Sequence, residues 1–191
     1  MIIIGITGTI GAGKGVLVDY LKKNFGFTHY SARDFIVREI EKRGLDVNRD
    51  TMREVSNDLR SMHHSAYIIE SLYNEAAKSG GNSIIESIRT VGEIQMLSEK
   101  PLFHLFAVDA DLKLRYERIK ERKSVTDSIS FEKFVEDEKN EMTSDNPATQ
   151  NLTACIGLSE YTFTNNGTLE EFHHQVDNVM KNLLSNSVLH T

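Results

Sequence analysis

The sequence predicts a three-layer α/β domain in which a five-stranded parallel sheet lies between helices. Three features point there. Ile2-Ile3-Ile4-Gly5-Ile6 carries no polar side chain, the pattern of a strand covered on both faces. Four further short apolar runs follow, separated by segments of helical period, the alternation that builds parallel sheets through right-handed crossovers. A glycine-rich turn joins the first run to the first helical segment.

After the opening strand, Leu17, Leu21 and Phe25 stand four apart and form the inner stripe of a helix. Gly26–Tyr30 reads as the second strand and Asp34–Glu41 as a helix stopped by Gly44. Thr51 and Glu54 read as a capping box, with Met52, Val55, Leu59 and Met62 at helical spacing. A longer helix is expected from about Ser65 to Lys78, ended by Gly80-Gly81. Asn82–Glu86 is the third strand. Thr90 and Glu93 cap the helix that follows, with Ile94 and Leu97 inside. Leu102–Val108 is the fourth strand, and Leu112, Tyr116 and Ile119 mark the next helix. Lys123–Ser130 has no period and reads as a loop. Phe131, Phe134 and Val135 open a helix that fades near Met142. Thr143–Leu158 is polar, carries Pro147 and is expected to be the least structured stretch. Tyr161–Thr164 is the last strand and Asn165-Asn166-Gly167 a turn. Thr168 with Glu171 then caps a helix lined by Leu169, Phe172, Val176, Val179 and Leu183.

A chain of 191 residues suits one domain with a sizeable core, so 1–191 is read as a single unit. With 39% hydrophobic and 26% charged residues, whole-chain disorder and a disulfide scaffold are excluded. The net charge of −6 gives no sign of nucleic-acid binding, so any phosphate site must be a local concentration of positive potential. Cys155 is the single cysteine, with no catalytic partner beside it in sequence, and is expected to be inert. No apolar run approaches the ~20 residues of a membrane span. Met1–Ile6 is short for a signal-peptide core, so a reducing, cytoplasmic setting without membrane contact is expected. His63-His64 and His173-His174 lack metal-ligand spacing, because neighbours on a helix point about 100° apart. They are read as surface or rim residues.

The sharpest motif is Gly8-Thr9-Ile10-Gly11-Ala12-Gly13-Lys14-Gly15, which matches the phosphate-loop pattern G-x-x-x-x-G-K between a strand and a helix. Glycines let the backbone curl until successive N–H groups point inward, and the helix brings its positive dipole end to the same place. Lys14 adds a mobile charge. The residue after the lysine is ordinarily Ser or Thr, whose hydroxyl ligates Mg²⁺, but Gly15 and Val16 have none. At the end of the third strand, Glu86 and Arg89 emerge where a carboxylate would lie beside the loop. Arg115, Arg118 and Arg122 are spaced three and four apart and share one helical face, which Lys123 extends. The alternative is a solvated face paired with Glu117 and Glu121.

Over nearly its whole length the chain resembles the P-loop nucleotide kinases that include adenylate kinase and dephospho-CoA kinase. Lys14-Gly15-Val16 is similar to the adenylate kinase Gly-Lys-Gly-Thr loop, with Val in place of Thr. Tyr30-Ser31-Ala32-Arg33-Asp34 through Arg38 resembles that family's Ser-Thr-Gly-Asp segment and its following arginine, leaving Arg33 and Arg38 as alternatives. Glu86-Ser87-Ile88-Arg89-Thr90 resembles its Asp-Gly-Phe-Pro-Arg-Thr. Glu-Ser-Ile-Arg, Asp58-Leu59-Arg60 and the run from Tyr161 to Phe172 are also similar to an archaeal group labelled dephospho-CoA kinase-like.

The resemblance implies a P-loop NTPase fold, an acceptor-binding helical insert at about 32–80 and a small helical lid at about 115–142. It implies ATP and Mg²⁺ as cofactors. Gly8, Thr9, Ile10, Gly11, Ala12, Gly13, Lys14, Gly15 and Val16 would hold the donor phosphates, and Lys14 would also act in transfer. Glu86 would hold the metal through its waters. Asp34, Arg38 and Arg89 would bind the acceptor, with Asp34 a general base for a hydroxyl acceptor. Arg118 and Arg122 would close from the lid, and Asn165-Asn166-Gly167 would meet adenine through its backbone. The expected acceptor is a small nucleotide-like molecule, first a nucleoside monophosphate and alternatively dephospho-CoA. Against the latter, Ser31-Ala32-Arg33-Asp34 replaces the Asp-Ala-Asp of those enzymes. The missing hydroxyl after Lys14 supports a reading of another class, a nucleotide switch or slow ATPase with a protein partner. Oligomeric state is left open.

Overall fold

The computed structural model describes residues 1–122, 130–144 and 149–188. In chain order its elements are β1 (Ile3–Gly8), α1 (Lys14–Phe25), β2 (Thr28–Ser31), α2 (Ala32–Lys42), α3 (Arg49–Met62), α4 (Tyr67–Ser79), β3 (Ser83–Glu86), α5 (Val91–Ser98), β4 (Phe103–Asp109), α6 (Leu112–Arg122), α7 (Phe131–Met142), α8 (Leu152–Gly157), β5 (Tyr161–Thr164) and α9 (Leu169–Val188). The five strands form one parallel sheet in the order β2-β3-β1-β4-β5. Of the expected loop Lys123–Ser130 only Ser130, the N-cap of α7, is among the described residues, and Pro147 also lies outside them.

β1 is central and buried along its whole length, and its residues alternate between two cores. Ile2, Ile4 and Ile6 pack with Leu17 and Leu21 of α1 and with Phe172, Val176, Met180 and Leu183 of α9. Ile3 faces the other way, into a core with Ile40, Ile68, Leu72, Ile94 and Leu97. The continuous apolar run thus has its cause in helices on both faces. In register, Ile6 stands opposite Glu86, Gly8 opposite Val108 and Asp109 opposite Thr164. The carboxyl ends of four strands therefore open on one rim.

Two of the expected capping boxes form as read. Thr90 and Glu93 cap α5 reciprocally, and Thr168 and Glu171 do the same for α9. The third is shifted. Asn48 is the N-cap of α3, accepting from the amides of Asp50 and Thr51, while the Thr51 hydroxyl accepts from the Asn48 amide. Gly26 ends α1 in the left-handed region at φ 68°, so β2 starts two residues later than expected. On α9 the buried stripe passes through Met180, while Leu169 is 57% exposed. His63 stacks on Tyr67 and His173 on Tyr20, whose hydroxyl donates to Asp177.

The largest departure is α8, inside the stretch expected to be least structured. Asn151 caps it, its side chain accepting from the Ala154 amide, and Leu152 and Cys155 plug it into the core. Burial pushes the Cys155 thiol up to about 12, so it is held protonated. Among the described residues no helix is long and apolar enough to cross a membrane.

Candidate active site

The loop after β1 curls because three glycines hold backbone angles and spaces that other residues cannot. Gly8, Gly11 and Gly13 have φ of 134°, 77° and 107°. A Cβ would lie 2.0 Å from the Val108 carbonyl oxygen at Gly8, 2.6 Å from that of Arg115 at Gly11 and 2.3 Å from Asn165 Nδ2 at Gly13. Gly15, inside α1, has no neighbour within 4 Å of its Cβ direction. Gly13→Ala is expected to destabilise by about 2–4 kcal/mol, from left-handed strain and a displaced buried amide, and to weaken nucleotide binding. Gly15→Ala is the control and is expected to raise stability by up to about 1 kcal/mol, as for any unhindered helical glycine. Thermal melts and nucleotide titration of the two variants check this. Equal behaviour would show that the loop relaxes freely.

Gly8, Ile10, Gly11, Gly13, Lys14, Gly15 and Val16 line a cleft of about 720 Å³. Thr9 and Ala12 stand behind it, buried, and the Thr9 hydroxyl donates to Asp109 Oδ1 at 2.7 Å. Lys14 Nζ donates to the carbonyls of Gly8 (2.8 Å) and Thr9 (2.9 Å). Burial, and then the Arg89 guanidinium, lower its pKa to about 8, against the pull of Glu86 and Glu141. Glu86 enters from the end of β3. His29 Nε2 on β2 donates to its Oε2 at 3.1 Å, and that bond holds the carboxyl below its ordinary range against the opposing effect of burial. Ser87 beside it also lines the cleft, in the left-handed region at φ 75°.

α6 and α7 supply the opposite wall. Burying Ile119 turns Arg118 and Arg122 toward the loop, where both line the cleft. Arg118 Nη2 donates to Asn165 Oδ1 at 3.4 Å, while its buried Nη1 has no hydrogen-bond partner among the described residues. Arg115, expected on the same basic face, is instead sunk into the protein. Its Nε donates to Ala110 O, its Nη1 to Ile10 O in the loop, and both Nη1 and Nη2 to Glu138 on α7. Asn165 adds a side-chain role to its turn: the residue is 3% exposed and its Nδ2 donates to Ala12 O at 2.8 Å. Arg89 Nη1 donates to Glu141 Oε2 (3.4 Å) and Gln150 Oε1 (3.3 Å), two partners that sequence reasoning missed.

Two expected acceptor residues lie elsewhere. Asp34 is exposed in the first turn of α2, its amide donating to Ser31 Oγ. Arg38 grips both carboxylate oxygens of Glu75, at 2.9 and 3.0 Å, and is 49% exposed. Neither lines the cleft. Arg33 is exposed as well.

A sequence profile described as an AAA domain matches residues 7–135. The chain is 30% identical over 187 residues to the UPF0200 protein MmarC7_0527 of Methanococcus maripaludis strain C7, covering 96% of this chain and 98% of that one. The chain belongs to the UPF0200 family of AAA-domain proteins. Its αβα fold with a five-stranded parallel sheet is shared with solved P-loop kinases. Shikimate kinase from Bacteroides thetaiotaomicron superposes with a TM-score of 0.59 at 11% identity, covering 94% of this chain and 98% of that one. Dephospho-CoA kinase from Campylobacter jejuni gives 0.55 at 13% identity, over 95% and 96%.

Two features of this UPF0200 cleft fit a magnesium-bound nucleoside triphosphate. A Cβ on Gly8 or Gly11 would run into neighbouring backbone and one on Gly13 into the buried Asn165 amide, so the loop must stay bare, and Arg118 Nη1 is a buried donor that a phosphate oxygen would satisfy. With no hydroxyl at Gly15 or Val16, the donor set suits a hard cation held by phosphate oxygens, water and Glu86.

Proposed function

We propose that the protein transfers the γ-phosphoryl group of Mg·ATP to a small, nucleotide-like acceptor. The observation that carries this is the meeting, in one cleft, of the glycine loop with Lys14, an ionised Glu86 and the guanidinium groups of Arg89, Arg118 and Arg122. The loop amides and Lys14 hold the donor phosphates. Glu86, oriented by His29, holds the water shell of Mg²⁺, which when bound neutralises charge on the phosphate oxygens. Arg118 and Arg122 approach the transferring group from the lid formed by α6 and α7. Arg89 meets the acceptor, which enters past the insert formed by α2, α3 and α4. Positioning and charge stabilisation suffice for this chemistry, so no covalent enzyme intermediate is invoked.

Nucleoside monophosphates and dephospho-CoA are the first acceptors to test, by ADP release with each. Arg89→Ala is expected to raise the acceptor KM at least ~10-fold, with Kd for Mg·ATP changed less than ~2-fold. Unchanged acceptor KM and kcat would remove Arg89 from the acceptor site. The absent hydroxyls at Gly15 and Val16 favour one second reading, a nucleotide switch or slow ATPase. ATP hydrolysis that no small acceptor accelerates would select it.

A further inference from the structure

We infer that the reacting group of the acceptor is an alcohol hydroxyl rather than a phosphate, and that Glu141 on α7 receives its proton. This rests on the reading of the cleft as a Mg·ATP phosphotransferase site and names the acceptor chemistry within it.

Charge supplies the first argument. A phosphate acceptor carries about two negative charges next to a triphosphate, so such a site needs uncommitted cations on the acceptor side. Arg38 is spent on Glu75, outside the cleft. Arg89 gives its Nη1 to both Glu141 and Gln150. Among the described lining residues, Lys14, Arg89, Arg118 and Arg122 are opposed by Glu86, Glu121 and Glu141, a surplus of one positive charge. Mg·ATP, with about two negative charges, already exceeds that surplus. A phosphate monoester would set two more directly against the γ-phosphate, whereas an alcohol brings none at its reacting oxygen, any phosphate or carboxylate it carries lying elsewhere in the molecule.

Hydrogen-bond polarity supplies the second. Arg89 is donor-only, so the groups it engages, Glu141 Oε2 and Gln150 Oε1, are necessarily acceptors. An entering phosphate would set its own acceptor oxygens against these. A hydroxyl has the donor they lack. Asp34, the residue expected to serve as base, is exposed away from the cleft, while Glu141 lines it.

The step balances without a further reactant. The acceptor oxygen forms a bond to the γ-phosphorus, the bond from that phosphorus to the β,γ-bridging oxygen breaks, and ADP leaves with the electron pair. The hydroxyl proton passes to the Glu141 carboxylate and then to water.

The test compares the full chain with its Glu141→Gln variant. Mg·AMP-PNP binding is measured by calorimetry, and ATP hydrolysis is followed with water alone. Phosphorylated products from a panel of nucleosides, dephospho-CoA, sugar acids and nucleoside monophosphates are identified by phosphorus NMR, which separates monoesters from anhydrides. The expected result is a monoester product in the wild type, whereas turnover with water alone overturns the alcohol assignment and selects the ATPase reading. Glu141→Gln is expected to slow monoester formation by about 10²–10⁴-fold, with Mg·AMP-PNP affinity undiminished. An anhydride product, or a variant that turns over as fast as the wild type, overturns the assignment while leaving the phosphotransferase reading in place. A wild type that fails to bind Mg·AMP-PNP overturns both.

Discussion

Lys14→Ala is expected to cut ATP-dependent phosphoryl transfer by about 10²–10³-fold while the empty protein still folds. In the cleft its ammonium donates to two loop carbonyls and is desolvated, so its removal costs folding little. Phosphate oxygens would recruit the same ammonium as charge develops in transfer. Its titration gives a second readout. With the pKa lowered to about 8, part of the population has lost this proton at pH 8, and an anionic ligand favours the charged form. Binding therefore takes up protons above pH 8, and nucleotide affinity falls as pH rises through about 8. For folding alone the sign is the reverse. The unfolded lysine keeps its proton to about 10.5, so this group's contribution to stability rises between about 8 and 10.5. Calorimetry of Mg·AMP-PNP at pH 7, 8 and 9, in two buffers of different ionisation heat, measures the uptake. A pH-independent affinity in the wild type, or turnover preserved in Lys14→Ala, would remove the lysine from the donor site.

What could be read from the sequence was local or periodic. The phosphate loop was legible because its glycines answer a backbone need expressed within eight residues. Glu86 and Arg89 were legible because β3 lies beside β1, and strand ends in a parallel sheet share a rim. Periodicity also put Arg115, Arg118 and Arg122 on one helical face. It does not say which of them is driven inward, and the answer depends on Glu138, 23 positions away on α7. The Asn165 bond to Ala12 spans 153 positions and leaves no local trace. α8 was missed because one turn and a half of helix shows too little period, and two buried side chains and an asparagine cap carry it. Arg38 shows the converse error. Its place along α2 resembles an acceptor arginine, and only the packing of α2 against α4 brings Glu75 to it.

Arg115→Met is expected to cost about 3–5 kcal/mol, because it strands Glu138 without its partner in a nearly dry site. The arginine side chain is 5% exposed and that of Glu138 15%, so water replaces little of what is lost. Two carbonyls, those of Ala110 and Ile10, also lose a donor. Adding Glu138→Leu removes the stranded charge, and the double variant is expected to regain part of the stability lost by the single one, since a buried ion pair and an apolar pair of similar volume are often equivalent. Nucleotide affinity is expected to stay reduced in both. Ile10 belongs to the phosphate loop, and restoring an apolar contact between α6 and α7 does not return the hydrogen bond that fixes its carbonyl. Urea unfolding of the four forms yields the coupling energy, which is expected to exceed about 1 kcal/mol. Additive losses would mean that Arg115 and Glu138 act separately. Affinity that recovers together with stability would mean that α7, rather than the bond to Ile10, is what shapes the loop.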